Sequence, residues 1–272
     1  MNHQVLLIND MAGYGKVALA AMIPVMSHMG IAVCNLPTAL VSNTLDYGKF
    51  EILDTTGYME NTLKVWEELG FTFEAVSTGF IVNEAQAKLV ADYCLEQSKR
   101  GVVIFCDPIM GDDGALYNGM GEETVKCMRR MVSCADYAVP NYTEAVFLAG
   151  DEYREEPEEA DIRRLIDKLR GLGAKSVAIT SVNIHGVNQV SCYDAGKQKY
   201  FSLPFDCLPV RFPGTGDIFS AVMLGQILNS GDMEQSVKKA MDVVRRMIER
   251  NIDNQDKFRG IPVEACLEVI DS

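Results

Sequence analysis

The sequence predicts an α/β fold built on a mostly parallel central sheet, and three observations predict it. Short apolar runs free of charge recur along the chain, longer segments with helical spacing alternate with them, and turn residues separate the two. Charge-free runs read as strands buried on both faces, and their alternation with helices places those helices on both faces of the sheet. This is the doubly wound class. With no linker, repeat or low-complexity tract, one domain is expected over residues 1–272.

The elements follow in order. Val5-Leu6-Leu7-Ile8 reads as the first buried strand, Val17 to Met29 as a helix closed near Gly30, and Ile31 to Leu36 as a second strand. Residues 58–69 are helical in pattern, with Trp66 at packing spacing from Leu63 and Leu69, and Ala75 to Thr78 is strand-like. A helix from Glu84 to Arg100 stops at Gly101, ahead of the apolar strand Val102-Val103-Ile104-Phe105. A helix over 121–132, a short strand Tyr137-Ala138-Val139, a helix Ile162–Leu172 and a strand Val177–Thr180 come next. Residues 190–203 alternate as a hairpin, and helices over Asp217–Asn229 and 234–250 close the pattern. The acidic run 151–159 reads as a solvated loop leading into a helix N-terminus, where acids are favourable.

Composition narrows the function. Apolar residues make up 48% and charged residues 23%, ordinary values for a chain with a sizeable core. The formal charge of −13 disfavours polyanions, so no nucleic-acid partner is expected. A phosphorylated ligand must then be held by local devices such as backbone N–H groups, a helix N-terminus or a metal ion. None of the eight cysteines makes a C-x-x-C pair, and they read as buried thiols in a reducing compartment. The fourteen methionines read as core or interface filler. No signal-type or membrane-spanning apolar run is visible, and a cytoplasmic location without membrane contact is expected.

The richest stretch is Phe212-Pro213-Gly214-Thr215-Gly216-Asp217. A turn held by proline and two glycines runs straight into an apolar helix. Its backbone amides can approach a ligand unhindered, and the helix start adds partial positive charge. A carboxylate at the mouth of such an anion hole suits a base that takes the proton of an attacking hydroxyl. The competing reading is an N-capping Asp217 on a plain turn. Cys106-Asp107-Pro108-Ile109-Met110-Gly111-Asp112 follows a buried strand at its C-terminal end, where open α/β sheets bind ligands, and Asp107 and Asp112 can hold Mg²⁺ beside phosphates. Asn141 to Glu144 follows the next strand, either to orient metal-bound water or as an N-cap with its capping-box acid. Thr180-Ser181 either touches nucleotide phosphate or ends its strand. Tyr14-Gly15-Lys16 lacks the spacing of a phosphate-binding P-loop, and Lys16 reads as exposed.

Taken together, Gly-Thr-Gly-Asp at 214–217, Asp-Pro-Ile-Met-Gly at 107–111 and Pro-Asn-Tyr-Thr-Glu at 140–144 resemble the ribokinase-like superfamily. Tyr14-Gly15, Ser42-Asn43, Tyr47-Gly48-Lys49 and Ser77-Thr78-Gly79 sharpen the likeness to its pyridoxal/pyridoxamine kinase branch, from about residue 5 to about residue 248. The resemblance implies an ATP- and Mg²⁺-dependent kinase, often with a monovalent cation such as K⁺, commonly a homodimer, that phosphorylates the 5′-hydroxymethyl group of a vitamin B6 vitamer. It implies Asp217 as catalytic base and Gly214, Thr215 and Gly216 as anion hole. Asp107, Asn141 and Glu144 would serve ATP and Mg²⁺, Thr180 would lie near the phosphates, and Leu203 to Phe205 would approach the adenine. The ring would meet Asp10, Val17, Val41, Thr44 and Phe80.

The chain departs from that branch at the ring contacts. Asp10 replaces a usual serine, Thr44-Leu45 a usual His-Thr, and Phe80 a common tyrosine. A carboxylate at position 10 would pair with a protonated ring nitrogen or an amine; the alternative is that it caps a turn or binds a cation. Hydroxymethylpyrimidine kinases usually carry cysteine in place of Asp217. A pyrimidine or other small-molecule kinase of the superfamily, and a non-catalytic ligand-binding relative, are the competing expectations.

Overall fold

The structure is a computed structural model that describes residues 3–117 and 120–271. The chain opens with β1 (Gln4–Ala12), α1 (Ala18–His28), β2 (Ala32–Val41), β3 (Ile52–Asp54) and α2 (Thr56–Glu68). It continues through β4 (Ala75–Thr78), α3 (Glu84–Lys99), β5 (Val103–Cys106), β6 (Gly111–Asp112), β7 (Ala115–Leu116), α4 (Glu122–Val132) and β8 (Tyr137–Ala138). Then come α5 (Tyr142–Ala149), α6 (Glu159–Leu172), β9 (Ser176–Ile184), β10 (Val187–Asp194), β11 (Lys199–Phe205), α7 (Thr215–Ser230) and α8 (Met233–Arg250). These fall into two compact units, residues 1–74 with 208–272, and residues 75–207.

In the first unit β1 pairs parallel with β2, and β2 antiparallel with the short β3. Val5, Leu6, Leu7 and Ile8 are fully enclosed, which is why this charge-free run can only be a strand covered on both sides. Helix α1 packs on β1, β2 and α7, and α7 packs on α8. Helix α7 is apolar nearly all round, with Ile218 through Gly225 buried, so it forms the centre of this unit rather than its surface. Trp66 is half-buried with its ring 5.9 Å from that of Phe73, the packing role its spacing predicts.

In the second unit β4, β5, β8 and β9 pair in parallel, and β9, β10 and β11 pair antiparallel. The mostly parallel sheet is therefore as expected, with the hairpin over 187–205 adding antiparallel strands at one edge. Helix α6 starts at Glu159, three residues before the expected boundary, because Glu158 and Asp161 close a capping box at its head. Helix α5 has no counterpart in the element pattern read from sequence. Its eight residues are too few to show a helical period.

Seven of the eight cysteines are buried or half-buried and Cys207 is exposed, all as free thiols. Among the described residues no helix is long and apolar enough to cross a membrane.

Candidate active site

Strand β1 runs four residues past the expected apolar core, as far as Ala12, and so carries Asn9 and Asp10 on its C-terminal end. The register against β2 shifts between Asn9 and Met11, leaving Asp10 at the irregularity. The chain then loops through Gly13–Val17 into α1. That loop is pinned from both sides: Gly13 N–H donates to Val41 O at 2.7 Å, Tyr14 N–H to Ser42 O at 3.0 Å, and Lys16 N–H to Arg259 O at 2.8 Å.

Asp217 is the focus of this unit. Helix α7 begins at Thr215 with Gly214 as its N-cap, so Asp217 is the third helical residue and not the N-cap itself. Only 8% of it is exposed. One carboxylate oxygen accepts from Ala18 N–H at 2.8 Å and the other from Asn9 Nδ2 at 3.4 Å. Ala18 is the first residue of α1 and holds φ 48°, a conformation that stores strain in a residue with a side chain. In that conformation its N–H reaches the carboxylate. Burial pushes the Asp217 carboxyl up to about 6, against the pull of these two donors. The first-turn amides of α7, from Thr215 to Asp217, have no intrahelical acceptor, and Gly216 is exposed beside them.

Gly214 is required on two counts. It sits at φ 85°, and an added Cβ would run into the Lys16 carbonyl oxygen. Gly214→Ala is expected to lower stability by about 1–3 kcal/mol. By displacing the start of α7 it should also lower turnover by about 10²-fold. Urea unfolding and steady-state kinetics check both; wild-type values in each would remove the role assigned to the close approach.

Asp10 is half-buried, and its N–H donates to Asn9 Oδ1 at 3.0 Å. Its carboxyl rises to about 7, first through burial and second through the charge of Asp217. Val17 is half-buried at the head of α1, and Val41 is buried at the end of β2. Thr44 is enclosed as well. It is 2% exposed, and its hydroxyl is committed to Phe258 O at 2.6 Å. Its work is to fasten the 256–260 segment. Thr215 likewise turns its hydroxyl onto Phe212 O at 3.3 Å, leaving only its backbone amide for a ligand.

An aromatic group covers the same loops. Tyr47 packs a tilted ring 5.9 Å from Tyr14 and edge-on 5.7 Å from Phe258, the Arg259 guanidinium lies 5.0 Å from the Tyr14 ring, and Tyr47 OH donates to Asp256 at 2.6 Å. Lys16 is half-buried and pairs with Glu264, where exposure was expected. Asn9, Ala18 and the 256–260 segment were invisible to motif reading. The only available signal was a polar Asn-Asp pair ending a strand that is otherwise buried.

In the second unit Phe80, Asp107 and Asn141 follow the C-terminal ends of the parallel strands β4, β5 and β8. Asn141 and Glu144 form a reciprocal capping box on α5: Glu144 N–H donates to Asn141 Oδ1 and Asn141 N–H to Glu144 Oε2, each at 2.8 Å. Glu144 Oε1 also accepts from Met110 N–H at 3.0 Å, and Asn141 Nδ2 donates to Gly111 O at 2.7 Å. The start of α5 thus holds the 107–111 loop. Glu144 is buried, and its carboxyl is pushed well up by burial and by the Asp107 charge, against backbone N–H groups that pull it down. Thr180 is half-buried and bridges in parallel to Asn141, while Ser181 beside it is exposed at φ 56°.

No group of three His, Cys, Asp or Glu side chains able to hold an ion forms among the described residues. Asp112 lies in the β6–β7 hairpin, where one oxygen accepts from Asp113 N–H at 2.9 Å. Asp107 and Glu144 are the acids that remain close. Leu203 and Phe205 are half-buried on β11, alternating with exposed Ser202 and Pro204, and Phe80 is half-buried just after β4.

Residues 19–261 match the family described as phosphomethylpyrimidine kinase. A pyridoxal kinase of Dictyostelium discoideum is 26% identical over 266 residues, covering 91% of this chain and 86% of that one. A crystal structure from Bacteroides thetaiotaomicron, of a protein described as a phosphomethylpyrimidine kinase and holding pyridoxal, superposes with a TM-score of 0.95. It shares 30% identity and covers 100% of this chain and 96% of that one. The pyridoxal kinase of Leishmania donovani in complex with ADP and pyridoxamine gives 0.86 at 27% identity, covering 98% and 95%.

Proposed function

The chain belongs to the phosphomethylpyrimidine kinase family, and from that footing we propose that it transfers the γ-phosphoryl group of ATP to the 5′-hydroxymethyl group of a vitamin B6 vitamer. It is a ribokinase-like phosphotransferase with an alcohol acceptor, similar to pyridoxal kinases. The observation that carries the reading is the Asp217 carboxyl, buried at the first turn of α7 between the Ala18 amide and the Asn9 amide group, with its affinity for protons raised to about 6. A base so tuned is ionised near neutrality and still takes a proton readily.

In this reading Asp217 orients the acceptor hydroxyl and takes its proton as the oxygen attacks phosphorus. The amides of Thr215 and Gly216 receive the charge that spreads over the transferring oxygens. Val17 and Val41 give the acceptor ring an apolar wall. On the nucleotide side the assignment is Asp107, Asn141 and Thr180, with Ser181, for the phosphates, and Leu203 and Phe205 for the adenine.

The donor set fits a divalent cation. Asp107 and Glu144 are neighbouring acids whose repulsion raises Glu144, and Mg²⁺ takes one or two carboxylates together with substrate phosphates. Asp107 would hold the ion with Glu144 behind it, and the ion would neutralise phosphate charge. A monovalent cation such as K⁺, a homodimeric state and a cytoplasmic setting complete the proposal.

Incubating the protein with ATP and Mg²⁺ and, separately, pyridoxal, pyridoxine, pyridoxamine and hydroxymethylpyrimidine tests it, with phosphorylated product read by mass spectrometry. At least one vitamer should be converted. Conversion of the pyrimidine alone would establish the second reading, which the family description favours; conversion of none would overturn both.

A further inference from the structure

Resting on the kinase reading, we propose that Asp10 makes this enzyme select acceptors that bring an ammonium group to the wall beside Asp217.

The case is where Asp10 sits and what faces it. Several acids of this unit have partners: Glu74 is met by His3, Asp256 by Tyr47, Glu264 by Lys16, Glu268 by Arg250 and Asp271 by His28. Asp10 and Asp217 have no lysine, arginine or histidine partner among the described residues. Asp217 has N–H donors from Ala18 and Asn9, whereas among the described residues the Asp10 carboxylate is drawn down only by its own backbone N–H, which also donates to Asn9 Oδ1. Asp10 is nevertheless half-buried and near enough to Asp217 for each charge to oppose the other. Placing a second enclosed carboxylate next to the catalytic base, with no cationic partner, is costly for the empty protein. The cost is relieved when a ligand supplies the missing cation.

The neighbouring groups point the same way. Val17 and Val41 offer no charge to a ring, so Asp10 is the group on this wall that can read one. An ammonium paired with Asp10 makes a charge-assisted hydrogen bond in an enclosed site. It also removes the repulsion that Asp10 exerts on Asp217. A neutral acceptor of the same shape does neither.

Pyridoxamine and pyridoxine are matched probes, since one carries an aminomethyl and the other a hydroxymethyl group on the same ring. Wild-type enzyme should favour pyridoxamine by roughly tenfold or more, the size of one hydrogen bond to a charged group, both in kcat/KM and in Kd by calorimetry. Asp10→Asn should bring both ratios close to one. Asp10→Ser repeats the measurement should the asparagine variant not fold, as judged by its melting transition. A wild-type preference that persists in both variants, or no preference in the wild type, overturns the proposal. So does a wild-type Kd ratio near one accompanied by K⁺ or Na⁺ binding that Asp10→Asn abolishes, since an inorganic ion is then the occupant. If no vitamer is phosphorylated the kinase reading fails, while the Kd ratios still decide the role of Asp10.

Discussion

Asp217→Asn is expected to lower kcat by about 10²–10⁴-fold, the usual contribution of a positioned general base. The amide keeps an oxygen for Ala18 N–H, so the fold should survive; what it loses is the ability to take a proton. The pH profile carries the same information. Burial sets Asp217 at about 6, and Asp10 at about 7 is coupled to it, so wild-type kcat/KM should climb as pH rises through that interval. The climb should vanish in Asp217→Asn.

Stability has the opposite sign. Both folded-state values lie above those of an unfolded aspartate, so between about pH 4 and pH 7 the native state holds protons that the unfolded chain has released. The contribution of these two groups to stability therefore declines as pH rises through that window. At pH 8 the asparagine variant should unfold at the same urea concentration as wild type or a higher one. Turnover within threefold of wild type would show that Asp217 is not the base.

The largest stability effect is expected at Glu144. Its side chain is buried and accepts from Met110 and Asn141 N–H, and the Asp107 loop and the start of α5 both hang on it. Glu144→Ala strands buried donors, at about 1–3 kcal/mol each, and removes half of a capping box. A loss of about 2–5 kcal/mol in urea unfolding is expected, a large part of the 5–15 kcal/mol that holds a typical domain together. Glu144→Gln should cost less, because it keeps one acceptor oxygen and removes the repulsion from Asp107. Nucleotide affinity should fall in the alanine variant along with stability, since the 107–111 loop is no longer pinned. An alanine variant as stable as wild type would mean that the hydrogen bonds to Met110 and Asn141 contribute nothing net.

Much of this was legible in the order of residues. A charge-free run such as Val5–Ile8 or Val102–Phe105 has one stable solution, a strand covered on both faces, and that suffices for the fold class. Asp217 was legible because its neighbours are glycines and its successors are apolar, a pattern with a specific physical use. Long-range partners were not legible. Thr44 reads as a free loop hydroxyl, and only the return of the chain at Phe258, 214 positions later, shows its partner. Asp112 reads only as a near neighbour of Asp107, and the β6–β7 hairpin shows that it accepts from Asp113 N–H.

The sequence by itself determined the long helices and the main strands, though not α5 or the short β3, β6 and β7, together with the glycine turn at 213–217 and the carboxylate that follows it, because each depends on contacts or conformations within a few residues. Only the tertiary structure decided what surrounds that carboxylate: Ala18 turned into a strained conformation to donate to it, Lys16 pressed on Gly214, and Asp10 left without a cationic partner beside it. Those are encounters between segments some 200 residues apart. Burial and electrostatics depend on distance in space, which local pattern does not encode.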